Sequence, residues 1–146
     1  MFKKILVPVD GSAVAEAVLP RVTELAKALN AEVTVLRVAG AHVFPGVDPT
    51  EAEVQVVREA EAYVEALAGQ LSRQGLAARA VVRYGHPAAE IVGHAARDKV
   101  DLVAMSTHGR SGLNRLLMGS VAEAVVRNAS TPVLLVRGPW GHMDTP

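Results

Sequence analysis

Apolar positions along this chain fall into two alternating rhythms. Residues 4–10, KILVPVD, form an unbroken apolar run that stops at a turn, the mark of a strand buried on both faces. From Ala13 to Asn30 the positions Val14, Val18, Val22, Leu25 and Leu29 recur at helical spacing and make one stripe. Pro20 sits inside that stripe and removes one backbone donor, which predicts a kink and not a break. EVTVLRVA (32–39) is dense in β-branched residues and predicts a second strand. The segment 40–49, with Gly40, Pro45, Gly46 and Pro49, is a long connecting loop. Thr50 and Glu53 have the spacing of a capping box and open a helix to about Gly75, striped by Val57, Ala60, Val64, Leu67 and Leu71. ARAVVRY (78–84) alternates as a half-exposed edge strand does, and Pro87 suits the first position of a helix running to about Arg97. DLVAMS (101–106) is again apolar on both faces, a helix follows over roughly 120–129, and TPVLLVR (131–137) is a fifth strand. The last nine residues, 138–146, carry no pattern and read as a mobile tail after a single domain spanning 1–137.

Strands alternating with helices predict an α/β fold: a five-stranded parallel open sheet, doubly wound, joined by right-handed crossovers. The strands apolar on both faces, the first and the fourth, belong at the centre, which gives the order 3-2-1-4-5. In such sheets ligands bind beyond the carboxyl ends of the strands, where the order reverses. The two central strands end in VPVDGS and MSTHGRSG, so these two sequences are expected to meet at one site.

Composition narrows the field. Half of the 146 residues are hydrophobic, with two Phe, two Tyr and one Trp, so the core is built from Val, Leu, Ile and Ala. Fifteen basic residues balance fifteen acidic ones, which argues against a nucleic-acid binder that works by bulk charge. The absence of cysteine excludes disulfides, thiolate zinc sites and cysteine nucleophiles. No apolar stretch approaches the roughly 18 residues needed to cross a bilayer. The basic start MFKKILVPVDG is stopped by Pro8 and Asp10 too soon for a signal peptide, so a cytoplasmic location is expected.

The candidate chemistry lies in the glycine-rich stretch 105–125. A helix N-terminus presents unpaired N–H groups and a partial positive charge, and glycine before it lets the backbone approach a phosphate. Gly119 immediately precedes Ser120, which reads as the N-cap. Ser120 and Glu123 also have capping-box spacing, so pure capping and a phosphate cradle are both open, and they are compatible if the Gly119, Ser120 and Val121 amides face the ligand. Neither a P-loop nor the dinucleotide-binding glycine fingerprint is present.

Taken together, MSTHG and the Gly119-Ser120 pair, separated from Gly109 by nine residues, resemble the G-x2-G-x9-G-[ST] motif of ATP-binding members of the universal stress protein family. KILVPVDGS, GHPAAEIV and GSVAEAVVRNASTPVLLVR extend the resemblance over nearly the whole chain. Ser106 stands where the family has its first motif glycine. A serine serves there if only an N–H at negative φ is needed, and weakens binding if the position requires positive φ or no side chain. The resemblance implies that Asp10 faces the nucleoside, that Pro8 shapes the strand end, and that the Val38 backbone meets the adenine. Ser106, His108, Gly109, Arg110, Gly119, Ser120 and Val121 complete the implied nucleotide-binding set. Blander roles stay open: a turn-forming, capping Asp10, a plainly packed Val38, a structural His108, and Arg110 and Arg115 that merely solvate the loop.

The implied ligand is ATP, with ADP or AMP as alternatives, and the site leaves room for a Mg or Mn ion. Asp10 and the hydroxyls of Ser106 and Ser120 are the acidic and hydroxyl groups near it. Asp101 begins the fourth strand at the far end, and Glu123 is committed to the cap. That set suits holding a nucleotide, with at most slow hydrolysis, in a regulatory or stress-response protein. The last strand is apolar yet lies at a sheet edge, and the resemblance implies an antiparallel homodimer through Pro132–Val136. No nucleic-acid or membrane partner is expected. The rival reading is a nucleotide-free dimeric interaction module; an ATP-dependent enzyme is a third.

Overall fold

The computed structural model describes residues 2–40, 49–108 and 118–137. The chain runs β1 (Lys4–Val9), α1 (Ala13–Glu16), α2 (Leu19–Leu29), β2 (Glu32–Ala39), α3 (Pro49–Arg73), β3 (Ala78–Tyr84), α4 (Pro87–Arg97), β4 (Leu102–Ser106), α5 (Ser120–Asn128) and β5 (Val133–Val136). All neighbouring strands pair in parallel, in the order β3-β2-β1-β4-β5. This is the predicted sheet.

The unbroken apolar run of β1 has a simple cause. Side chains alternate across a strand, so a central strand covered on both sides needs apolar residues at every position. Ile5, Val7 and Val9 enter one core layer with Val33 and Val35 of β2, Val22 of α2, and Val64 and Leu71 of α3. Leu6 enters the other layer with Leu36, Val103 and Met105, closed over by Ile91 and Ala95 of α4 and Val125 of α5. Leu6, Leu36 and Val103 are fully buried. At the amino edge, Asp101 accepts the Lys3 and Lys4 amides at 2.9 Å each, which holds its carboxyl below the ordinary value. It therefore stands at the end of the sheet away from the predicted site.

Two helix starts differ from expectation. Pro20 divides its stripe instead of kinking it: α1 stops at Glu16, residues 17–18 turn, and α2 begins at Leu19 with the proline in its first turn. Proline has no N–H to give the Glu16 carbonyl and its ring crowds that carbonyl, whereas the first turn of a new helix asks for no such donor. The stripe survives the division, since Val18 and Val22 are both fully buried. The helix expected from Thr50 begins at Pro49, so Thr50 lies within the first turn and not at the cap. Of the loop predicted over 40–49, Pro49 belongs to α3 and 41–48 lie outside the described residues, as do most of the glycine-rich loop (109–117) and the tail at 138–146.

Helix α4 carries a polar cluster around one buried histidine. His94 is 3% exposed, and its Nδ1 lies 3.3 Å from the Arg83 guanidinium on β3. Its Nε2 faces Asp98 Oδ2 at 3.8 Å, and neither of these two buried atoms has a hydrogen-bond partner among the described residues. Lys4 of β1 completes the group, donating to the Asp98 carbonyl at 3.1 Å and lying 3.6 Å from its carboxylate. Burial, then the Arg83 charge, hold the His94 imidazole below its ordinary value. Among the described residues no helix is long and apolar enough to cross a membrane.

Candidate functional site

At the carboxyl ends of β1, β2 and β4 a cleft of about 180 Å³ opens at the point where the strand order reverses. Pro8, Asp10, Val38, Ser106, His108, Gly119, Ser120 and Val121 all line it. The structure thus brings together eight of the residues singled out in the sequence. Gly109 and Arg110, the remaining two, lie outside the described residues.

The cleft has two chemically different sides. Toward β2 and α4 it is apolar, with Leu36, Val38, Pro87 and Ile91, and Met105 of β4 continues that surface. Toward α5 it meets the start of a helix. There the sequence reading needs correction, because the N-cap is Gly119, not Ser120. Gly119 is extended (φ −62, ψ 154), its amide donates to the Thr107 carbonyl at 2.7 Å, and its own carbonyl accepts from Glu123 N at 2.9 Å. This tie to the end of β4 fixes where the helix begins, so Ser120 is already helical and its hydroxyl caps nothing. Glu123 is likewise free of capping duty and pairs with Arg127 at 2.6 Å. Among the described residues, no hydrogen bond takes up the amides of Ser120, Val121 and Ala122. All three residues line the cleft.

Asp10 follows β1 in a tight turn. Gly11 takes φ +89, which glycine adopts without strain. That turn lets Asp10 Oδ1 accept from the Ser12 amide at 3.0 Å and the Ser12 hydroxyl at 2.6 Å. Ser12 Oγ in turn accepts from Ala15 N at 3.1 Å and caps α1. Asp10 therefore braces the turn, while the helix cap expected of it falls to Ser12, and Asp10 also lines the cleft.

Ser106 ends β4 with an ordinary negative φ, so the backbone there does not demand glycine. Its hydroxyl accepts from the His108 amide at 3.4 Å and is part of the wall. His108 is 7% exposed, with Nδ1 3.2 Å from the Thr107 hydroxyl.

Leu36, Ile91, Met105, Ala15 and Pro87 escaped the sequence reading as site residues. Leu36 was within reach, because it lies two positions before Val38 and so shares its face of β2. Ile91 stands one helical turn after Pro87, at the end of α4 that follows a strand's carboxyl terminus. Its arrival at the cleft depends on the crossover, which no local pattern encodes.

A model of the universal stress protein family matches residues 1–137. A universal stress protein of Methanocaldococcus jannaschii is 35% identical over 144 residues, covering 95% of this chain and 84% of that protein. The universal stress protein YxiE of Bacillus subtilis is 31% identical over 148 residues, covering 94% of this chain and 100% of its own. Among solved structures, a second Methanocaldococcus jannaschii protein matches with a TM-score of 0.84 at 32% identity, over 94% of this chain and 96% of that one. Two more distant structures of the same fold hold nucleotides. An Arabidopsis thaliana family protein with AMP bound matches at TM-score 0.70 and 15% identity, over 98% of this chain and 96% of that one. The Archaeoglobus fulgidus protein in complex with dAMP matches at TM-score 0.69 and 22% identity, over 92% and 98%. The strand order, the cleft at the reversal point and the match along residues 1–137 agree, and the chain belongs to the universal stress protein family.

Proposed function

We propose that the cleft binds an adenine nucleotide, with ATP, ADP and AMP as the ligands to compare. One observation carries the reading: three amides of the first turn of α5, without hydrogen-bond partners among the described residues, open into a cleft whose other side is apolar. A flat apolar base and an anionic tail match those two sides. Helix amides and the helix dipole suit phosphate, and the Leu36, Val38 and Ile91 surface suits an aromatic ring. Strands lie about 4.8 Å apart, so β2 and β4 are separated by roughly 10 Å, the order of a nucleoside's span. In the proposed pose the Val38 backbone meets the base and Asp10 the ribose. Ser106, His108, Gly119, Ser120 and Val121 surround the phosphates, with Gly109 and Arg110 contributing from the adjoining loop. The same fold holds AMP and dAMP in the Arabidopsis and Archaeoglobus proteins, which supports the class of ligand.

The described ionisable side chains of the cleft are Asp10 and His108, a set suited to holding a nucleotide with at most slow hydrolysis. We read the protein as a regulatory, stress-response binder. Titration calorimetry of nucleotide-stripped protein with AMP, ADP and ATP is expected to give saturable binding with one nucleotide per chain. No heat at millimolar concentrations of all three would overturn the reading and favour the nucleotide-free interaction module.

The homodimer through Pro132–Val136 is part of the same proposal. β5 pairs with β4 on one side and forms the sheet edge on the other, and Leu134 is 37% exposed. An apolar edge strand invites an antiparallel copy of itself across a two-fold axis. Sedimentation at micromolar concentration is expected to show a dimer, and Leu134→Lys to weaken it at least about tenfold by placing two cations across the axis. A monomeric wild-type protein would remove this part of the reading.

A further inference from the structure

Helix α1 forms one wall of the cleft and is four residues long, too short to hold its own shape. Its start is fixed by Ser12, which is bonded to Asp10. Its end is fixed by a contact from far along the chain: the Tyr63 hydroxyl on α3 donates to Glu16 Oε2 at 2.5 Å. The Tyr63 ring also packs under a charge, with the Arg37 guanidinium of β2 5.0 Å from its centre. Arg37 pairs in register with Val9, the last residue of β1, and is followed directly by Val38 of the cleft. Burial and the Glu16 carboxylate push the Tyr63 hydroxyl well above the ordinary phenol value, so it remains a donor at neutral pH.

We infer that Tyr63, Glu16 and Arg37 form a positioning device for the nucleotide cleft, with Tyr63 and Glu16 tying α1 to α3 and thereby setting the Asp10 turn and the Ala15 wall. The inference rests on the proposed binding of an adenine nucleotide. None of the three side chains touches the cleft, so they act through α1 and through the neighbouring backbone of β2. The chain of contacts runs from Arg37 to Tyr63 to Glu16, and along α1 to Ser12 and Asp10. Loss of the central bond leaves this one-turn helix to its Ser12 cap and the packing of buried Ala15.

The test compares wild type, Tyr63→Phe, Glu16→Ala and Glu16→Gln by two measurements. The first is hydrogen exchange of the Glu16 and Ala17 amides in ligand-free protein, since these donate to Ser12 O and Val14 O within α1. Tyr63→Phe and Glu16→Ala are expected to speed that exchange about tenfold while β1 amides stay protected, as loss of one local hydrogen bond implies. The second is the dissociation constant for AMP and for adenosine, expected to rise roughly threefold to tenfold for both ligands in the same two variants. A loss shared by adenosine places the effect on the Asp10 side and not at the phosphates. Glu16→Gln still offers a carbonyl oxygen to the tyrosine and is expected to stay within about twofold of wild type by both measures. Unchanged α1 exchange in Tyr63→Phe would overturn the tie. Faster exchange with unchanged affinity would overturn its coupling to the cleft. A wild-type protein that binds neither ligand would overturn the proposed function and the coupling with it, while the ligand-free exchange would still decide the tie.

Discussion

Ser120→Pro is expected to keep the fold intact and yet weaken AMP binding roughly 10- to 100-fold. The two effects separate because of where Ser120 stands. It is the first residue of α5, where an amide has no intrahelical acceptor and proline's fixed φ suits the helix. The residue before a proline must be extended, and Gly119 already is, at φ −62 and ψ 154. Stability should therefore hold or rise by up to ~1 kcal/mol through the unfolded chain's lost freedom. The proline deletes one N–H of the proposed cradle, puts ring carbons in its place and removes the hydroxyl. A hydrogen bond to a charged group contributes ~1.5–3 kcal/mol, which sets the expected loss. Ser120→Ala separates the contributions, since it keeps the amide and drops only the hydroxyl. Calorimetry and a thermal melt on the three proteins decide the matter: unchanged affinity in Ser120→Pro would place the phosphate elsewhere.

Acid is expected to destabilise the protein through His94. Burial and the Arg83, Arg97 and Arg79 charges disfavour the imidazolium, and the Asp98 carboxylate only partly offsets them while Lys4 engages it from β1. The folded imidazole thus titrates below 6.5 and the unfolded one near 6.5, so below that pH the unfolded chain binds more protons. The stabilising contribution of neutral His94 is complete above about pH 6.5. It falls by up to ~1.4 kcal/mol per pH unit on acidification, until the folded group also protonates. By pH 5 the loss is at most ~2 kcal/mol by the same relation. Urea denaturation from pH 7.5 to 5 measures it, with His94→Gln as the reference because the chain's other histidines contribute equally to both proteins. Parallel pH profiles for the two would rule out His94 as the cause.

Much of this structure was readable before any coordinates. The continuous apolar runs of 4–10 and 101–106 placed β1 and β4 at the centre, because only strands covered on both faces tolerate apolar residues at every position. The alternating arginines of 78–84 placed β3 at an edge for the complementary reason. The two sequences ending the central strands do meet at the reversal point, since parallel strands bring their carboxyl ends to one side. Where the reading went astray, the deciding partner was distant. Ser120 has the residue type and spacing of a cap, yet the bond from Gly119 N to Thr107 O starts the helix so that Gly119 takes that place. Pro20 was legible as a disruption, but whether a helix bends or restarts depends on what its two halves pack against.

The sequence by itself determined the elements, their inward faces and the sheet order, because hydrophobic periodicity is a local record of burial. It also brought out, through glycine spacing and family resemblance, the residues that line one cleft. Only the tertiary structure decided that the first amides of α5 lie open among the described residues, that Leu36 and Ile91 build the apolar side, and that Tyr63 reaches Glu16. Each of these depends on groups far apart in the chain meeting at a particular distance and angle. Periodicity carries no information about which distant partner a buried donor will find, and burial is what obliges it to find one.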